Sequence, residues 1–238
     1  MINGNQHQEV IFYGYQNSAF LPDIFSFERF NTGSISQNIA DKIDFSTRFA
    51  KRSFDILFSS AVILAGMPIF LLLMAITKLT SKGPAFYKQE RVGRNGKPFK
   101  IYKFRSMIVD SEVNGPQLTT DDDPRITKWG NFMRKTHLDE LPQFWNVLVG
   151  DMSVVGPRPE REYFIKQIVK KAPAYKNLLS LKPGITSIGQ IDYGYAENVD
   201  EMCERMTLDL DYLDEVNIAK DLSIIVKTVG TMIYGKGK

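Results

Sequence analysis

A chain of 238 residues with 43% apolar content is long enough to bury one substantial core, and its composition is not that of a disordered or fibrous protein. The net charge of +3 is too small to read on average, so the placement of Lys and Arg along the chain carries the information. A single cysteine, Cys203, excludes an internal disulfide framework and a cysteine-cluster metal site, and it favours a reducing, cytoplasmic setting.

Residues 1–46 mix Gly, Asn, Ser and scattered aromatics with no sustained period of 3.6 or 2. They read as an N-terminal extension without assignable chemistry, and their start lacks the pattern of a secretory signal peptide. Residues 47–80 form the second unit. From Leu57 to Ile76 the chain carries no charge, over about the length a helix needs to cross a bilayer. Arg48, Lys51 and Arg52 precede this stretch, and Lys78, Lys82 and Lys88 follow it, so both flanks hold the basic residues that normally stay cytoplasmic. Gly66-Met67-Pro68 lies in the middle, where proline removes a backbone donor and clashes with the preceding turn. The pattern predicts a re-entrant helix-break-helix hairpin that dips into one leaflet, with Asp55 at its mouth. A spanning helix with a proline kink is the other reading of the same residues, and a buried core helix is disfavoured by the lack of a polar face.

Residues 81–238 read as the catalytic domain on the cytoplasmic side. AFYKQERVG and KPFKIYKFRSMIV predict two strands around the turn Arg94-Asn95-Gly96, a basic β-hairpin. Residues 108–126 are an acidic loop containing Asp121-Asp122-Asp123-Pro124, and a helix is expected from about Thr127. Leu138-Asp139-Glu140-Leu141-Pro142 predicts a second helix opening at Asp139 and ending at Gly150. Gly156-Pro157-Arg158-Pro159 is too rigid for a helix and presents Arg158 from a loop. Helices are expected within 160–180, a short strand from Ile185 to Tyr193, and amphipathic helices over 199–233. The last of these has a face suited either to the core or to a membrane surface. The fold class is therefore α+β and mostly helical: a re-entrant membrane hairpin, a compact domain with a small β-hairpin or sheet, and interfacial amphipathic helices.

The chemistry available is that of carboxylates and arginines. His7 and His137 are the only histidines and lie in no metal-ligand spacing, and no phosphate-binding P-loop is present. Lys103, Arg105, Arg125, Arg134, Arg158 and Arg161 sit near predicted turns or element ends, where a pocket walled by several of them would suit a pyrophosphate. By themselves Asp139 and Glu140 admit two readings. They are a helix cap, or they are a catalytic pair that holds magnesium and attacks phosphorus through a carboxylate. Arg158 likewise reads either as a phosphate ligand or as a loop residue binding a backbone carbonyl.

KRSFDILFSS with its apolar run and central proline, GPAFYKQERVGRNGKPFKIYKFRSM, DDDPRITKWGNFMRKTHLDELPQFWNVLVGDMSVVGPRPE and KPGIT together resemble the bacterial sugar transferases, the monotopic polyprenyl-phosphate phosphoglycosyl transferases. The resemblance covers roughly residues 48 to 190. It implies an enzyme of the inner (cytoplasmic) membrane, anchored in the cytoplasmic leaflet, that transfers a sugar 1-phosphate from a nucleoside-diphosphate sugar, a UDP-sugar in expectation, to polyprenyl phosphate. That is the first membrane step of glycan assembly. It also implies Mg2+ as cofactor, Asp139 as nucleophile and metal ligand, Glu140 as its partner, and Lys103, Arg105, Arg125 and Arg158 as substrate-binding positions. Membrane lipid, a second copy of the chain and downstream glycosyltransferases are the expected partners, and nucleic acid is not one. Two departures stand out. Met67 occupies a position where many members have serine, and Ser187-Ile188-Gly189-Gln190 replaces the glycine and tryptophan run that follows KPGIT in longer members. The residues alone leave a non-catalytic membrane-surface scaffold, or an anionic-lipid-binding module, as the alternative.

Overall fold

The apolar stretch forms one helix, α1 (Phe45–Thr80), in a computed structural model that describes residues 43–113, 115–120 and 122–233. Most of the N-terminal extension, with His7, therefore lies outside the described residues, as do Asp121, Lys236 and Lys238. Asp44 caps α1 by accepting the Ser46 backbone N–H. The expected break is not present in the secondary structure, because the backbone stays helical through Pro68. Proline removes a single helical hydrogen bond, and the missing side chain at Gly66 leaves room for the Phe70 ring, which lies 3.2 Å from where a Cβ would stand.

Both ends of α1 are seated on the rest of the protein. At the first end, Lys51 donates to the Val155 carbonyl, Arg52 donates to the Val147 and Leu148 carbonyls, and Asp55 accepts the Val154 backbone N–H (2.9 Å) and the Ser153 hydroxyl (3.0 Å). At the other end, Thr77 accepts the Trp129 indole N–H (3.1 Å), and Phe70 packs on Phe104. The buried residues of α1 are Asp55, Ser59, Leu73 and Thr77, which lie on either side of the Gly66–Pro68 stretch. The middle exposes Leu64, Met67 and Ile69.

The predicted hairpin forms. Strands β1 (Phe86–Val92) and β2 (Pro98–Phe104) pair antiparallel, and Asn95 and Gly96 take left-handed backbone at φ 57° and 73° to close the turn. Thr127 caps α2 (Lys128–Lys135) by accepting the Gly130 N–H. Gly130 is required there, since a Cβ would lie 1.8 Å from the Ser106 carbonyl oxygen. Helix α3 (Gln143–Val149) ends at Gly150, whose φ of 96° suits glycine. It starts later than expected: Leu138–Glu140 is a separate 3-10 turn, entered through His137 at φ 54°.

Strand β3 (Ser153–Val155), which the sequence does not reveal, pairs in parallel with β4 (Gly184–Thr186). The expected strand from Ile185 to Tyr193 is therefore cut short. Ser187 caps a one-turn helix instead, α6 (Ile188–Asp192), by accepting the Gln190 N–H. Helices α4 (Glu162–Lys171), α5 (Tyr175–Leu178), α7 (Val199–Asp214) and α8 (Ile218–Ile233) complete the described chain, which is mostly helical around two small sheets. One apolar cluster joins α4, α5 and α7 through Ile165, Ile168, Leu178, Met202 and Met206. A second joins β2, α3, β3 and α8 through Ile101, Val147, Val155 and Ile224. A third, Leu73, Phe104 and Met133, joins α1, β2 and α2.

Candidate active site

Asp139 and Glu140 share the 3-10 turn between α2 and α3, and neither carboxylate caps a helix. Glu140 turns toward β2, where Lys103 Nζ lies 2.5 Å from its Oε1. Burial would raise its pKa, but Lys103 and Arg158 outweigh that and hold Glu140 below the usual carboxylate range. Asp139 is only 6% exposed, and no side chain among the described residues hydrogen-bonds its carboxylate. Burial pushes its pKa up, and the negative charge of Glu140 adds to this, while Lys103 and Arg134 oppose it. Two adjacent carboxylates are thus held in different states: one pinned as an anion by a side-chain cation, the other desolvated and bonded by no other side chain. His137 is pushed toward its neutral form by burial.

Arg158 reaches the same place from the loop after β3. With Arg91, Lys103, Glu140 and Gln143 it lines a small cleft that Gly184 and Ile185 also line. Its charge is favoured by Glu140 and Glu160 against the cost of burial. Arg134, at the end of α2, acts on Asp139 through its charge. Of the basic residues singled out in the sequence, Lys103, Arg134 and Arg158 therefore converge on the dyad.

The other three are engaged elsewhere. Arg105 donates from Nη2 to the carbonyl and hydroxyl oxygens of Ser81 (2.7 and 2.6 Å) just past the C-terminal end of α1, where a cation offsets the helix dipole. Arg125 binds Asp123 through Nε (2.8 Å), Gln117 (2.9 Å) and the Ser111 and Leu118 carbonyls, which organises the acidic loop. Arg161 pairs with Glu112 at 2.6 Å.

Three charged residues that sequence reasoning did not single out belong to the site. Glu160 follows the Arg158 loop and is 5% exposed; Arg205 of α7 bonds it at 2.6 Å, and Arg91 of β1 approaches it at 3.5 Å. Burial lowers the Arg91 pKa to about 10. Arg91, Lys103, Arg134, Arg158 and Arg205 outnumber Asp139, Glu140, Glu160 and the neighbouring Asp209 by one charge, which suits an anionic ligand.

The donors fit a magnesium ion in one way only. Among the described residues no group of three or more His, Cys, Asp or Glu could form an all-protein metal cage. A carboxylate without bonds to other side chains, beside a surplus of cationic side chains, suits an ion that takes most of its ligands from water and phosphate. Asp139 is that carboxylate.

A sequence profile of the bacterial sugar transferases matches residues 46–235. The chain is 40% identical over 189 residues to a UDP-N-acetylgalactosamine-undecaprenyl-phosphate N-acetylgalactosaminephosphotransferase of Aeromonas hydrophila, covering 79% of this chain and 45% of that protein. It is 37% identical over 218 residues to a UDP-glucose:undecaprenyl-phosphate glucose-1-phosphate transferase of Escherichia coli K12, covering 88% and 47%. This chain spans about half the length of those two relatives. An exopolysaccharide production protein PSS of Rhizobium leguminosarum bv. phaseoli is 39% identical over 197 residues, which cover 79% of this chain and 97% of that one.

Proposed function

The chain belongs to the bacterial sugar transferase family, and from that membership we propose that it moves a sugar 1-phosphate from a UDP-sugar to polyprenyl phosphate at the start of glycan assembly. The observation that carries the reading is the contrast within the dyad. Glu140 is held as an anion by Lys103 at 2.5 Å, while Asp139 is buried with no bond from another side chain, beside an excess of cationic side chains.

In the proposed reaction, an Asp139 carboxylate oxygen attacks the sugar-bearing phosphorus. An aspartyl-phosphosugar bond forms as the bond between that phosphorus and the bridging oxygen breaks, and nucleoside monophosphate leaves with the bond's electron pair. A phosphate oxygen of the polyprenyl phosphate then attacks the same phosphorus. The Asp139 carboxylate is released and the lipid diphosphate sugar departs. Arg158, Arg91 and Lys103 line the cleft where charge develops on the phosphoryl oxygens, and their donors are held in place before the substrate arrives. Glu140 keeps Lys103 at this position. Asp139 would hold Mg2+, which when bound neutralises phosphate charge and polarises the phosphorus.

The membrane reading draws on α1. Its apolar middle is exposed, and both ends rest on the same domain, so a straight crossing would carry one anchored end to the opposite side. A helix dipping into the cytoplasmic leaflet of the inner membrane accommodates both contacts. Leu222, Val226 and Val229 form an exposed apolar row on α8 that suits an interfacial helix.

The test of the function is a panel of UDP-sugars with polyprenyl phosphate and magnesium, scored for nucleoside monophosphate. Release with at least one donor is expected. No release with any of them overturns the reading.

A further inference from the structure

Arg158 is held from behind as well as in front. Prolines on either side restrict its backbone, the Arg158 backbone bonds the Asp209 carboxylate, and the loop is tied at four further points. The Gly156 N–H donates to the Thr186 carbonyl, the Pro157 carbonyl accepts from Gly184, the Pro159 carbonyl accepts from Arg91 Nη1, and the Glu160 carbonyl accepts from Val92. These bonds fix where the side chain starts but not where it ends.

The Glu160 carboxylate governs the end. Its Oε1 lies 3.9 Å from Arg158 Nε and 2.6 Å from Arg205 Nη2, while its Oε2 lies 3.5 Å from Arg91 Nη1. One buried carboxylate thus serves three guanidinium groups. Arg205 is itself immobilised, being 6% exposed on α7, with α6 packed so closely that a Cβ on Gly189 would stand 2.7 Å from the Arg205 carbonyl oxygen. A buried carboxylate needs more than one partner for its lone pairs, and here the partners beyond Arg205 are the two guanidiniums of the cleft, Arg91 and Arg158. The extra guanidiniums face the cleft beside Glu140. Charges alternate from neighbour to neighbour: Arg205, Glu160, Arg158, Glu140, Lys103.

We propose that Glu160 is a positioning residue that sets Arg158 against the Asp139-Glu140 dyad, with Arg205 of α7 as its fixed support. The proposal rests on the reading that Arg158 meets the donor's phosphates. Without the Glu160 charge, Arg91, Arg158 and Arg205 repel one another, and Arg158, the one on a loop, is the one that moves.

The test is a double-mutant cycle on the full chain in detergent, read in two ways: affinity for inorganic pyrophosphate with magnesium by calorimetry, and kcat/KM for nucleoside monophosphate release. Glu160→Gln is expected to weaken pyrophosphate binding about tenfold in the native background and to add less than about twofold when Arg158→Gln is already present. Glu160→Asp should recover part of the loss. A purely structural role predicts the same loss in both backgrounds, and that result overturns the proposal, as does an unchanged affinity in Glu160→Gln. If Glu160→Gln does not fold, Arg205→Lys and Glu160→Asp, each crossed with Arg158→Gln, carry the same comparison. A wild type that binds pyrophosphate through Arg158 yet releases no nucleotide overturns the transferase reading alone, and the binding cycle still decides the positioning. A wild type with no affinity for pyrophosphate overturns both.

Discussion

Lys103 on β2 and Glu140 on the turn before α3 stand 2.5 Å apart, 19% and 12% exposed at their side chains, and this pair joins the basic hairpin to the dyad. Removing one partner leaves the other charged and half-desolvated. Lys103→Met should therefore lower stability by about 2 kcal/mol, less than a fully buried pair would cost, and reduce turnover by about a hundredfold or more. Lys103→Arg should restore stability better than activity, because a planar fork does not reproduce a point charge. Thermal unfolding and nucleoside monophosphate release measure the two separately. Equal recovery of both would count against a role for Lys103 at the phosphates.

Asp139→Asn should abolish turnover without unfolding the protein. The carboxylate has no bond from another side chain and is costly to ionise where it lies, so the melting temperature should stay level or rise. Intact-mass measurement after incubation with the donor should reveal a phosphosugar adduct on the wild type and none on Asp139→Asn. An adduct of the same mass on the variant rules out Asp139 as nucleophile.

Asp209 on α7 carries a pH dependence of stability. Burial pushes its carboxyl up to about 6 from an ordinary 3.8, against opposing bonds from the Gly189 N–H (2.9 Å), Ser187 and the Arg158 backbone. The folded state therefore holds this proton more tightly than the unfolded chain. Its contribution is fully present below the ordinary value and is lost as pH rises through the folded one, amounting to about 3 kcal/mol. Asp209→Asn should flatten the fall in melting temperature across that window. An unaltered slope would assign the dependence to other groups.

The two ends of α1 should be reachable from the same side of the membrane. Single cysteines at Arg48 and Lys82, in a Cys203→Ser background, should both be labelled by an impermeant reagent in inside-out vesicles and neither in right-side-out ones. Labelling of the two from opposite sides would establish a spanning helix.

Much of this fold is legible in the sequence where a single local rule decides it. The uncharged run makes α1, Asn95-Gly96 closes the hairpin, Thr127 caps α2 and Gly150 stops α3. Asp139, Glu140, Lys103 and Arg158, which the family resemblance picks out in the sequence, lie close together in the fold. What sequence does not reveal depends on distant partners. β3 and β4 are strands of three residues whose pairing shows no alternation, and Ser187 turned the expected continuation of β4 into a helix. Pro68 reads as a break because its helical tolerance depends on what surrounds it. Arg105 and Arg125 look like phosphate ligands in the sequence, and no spacing rule shows that Arg105 Nη2 bonds Ser81 or that Arg125 bonds Asp123. Glu160 and Arg205 lie 45 residues apart, and no spacing rule links them.

The seating of α1 at Asp55 and Thr77 also bears on how its depth would be set. A free apolar helix adjusts tilt to match its length to the bilayer, with a thicker membrane drawing it upright. On the proposed membrane reading, a helix held at both ends by one domain would lack that freedom, and the two joints would decide its penetration. Bilayer thickness should then matter little to the height of the dyad above the lipid, and loosening either joint should matter a great deal. The polar domain acts as the gauge, and the apolar segment is the part being measured.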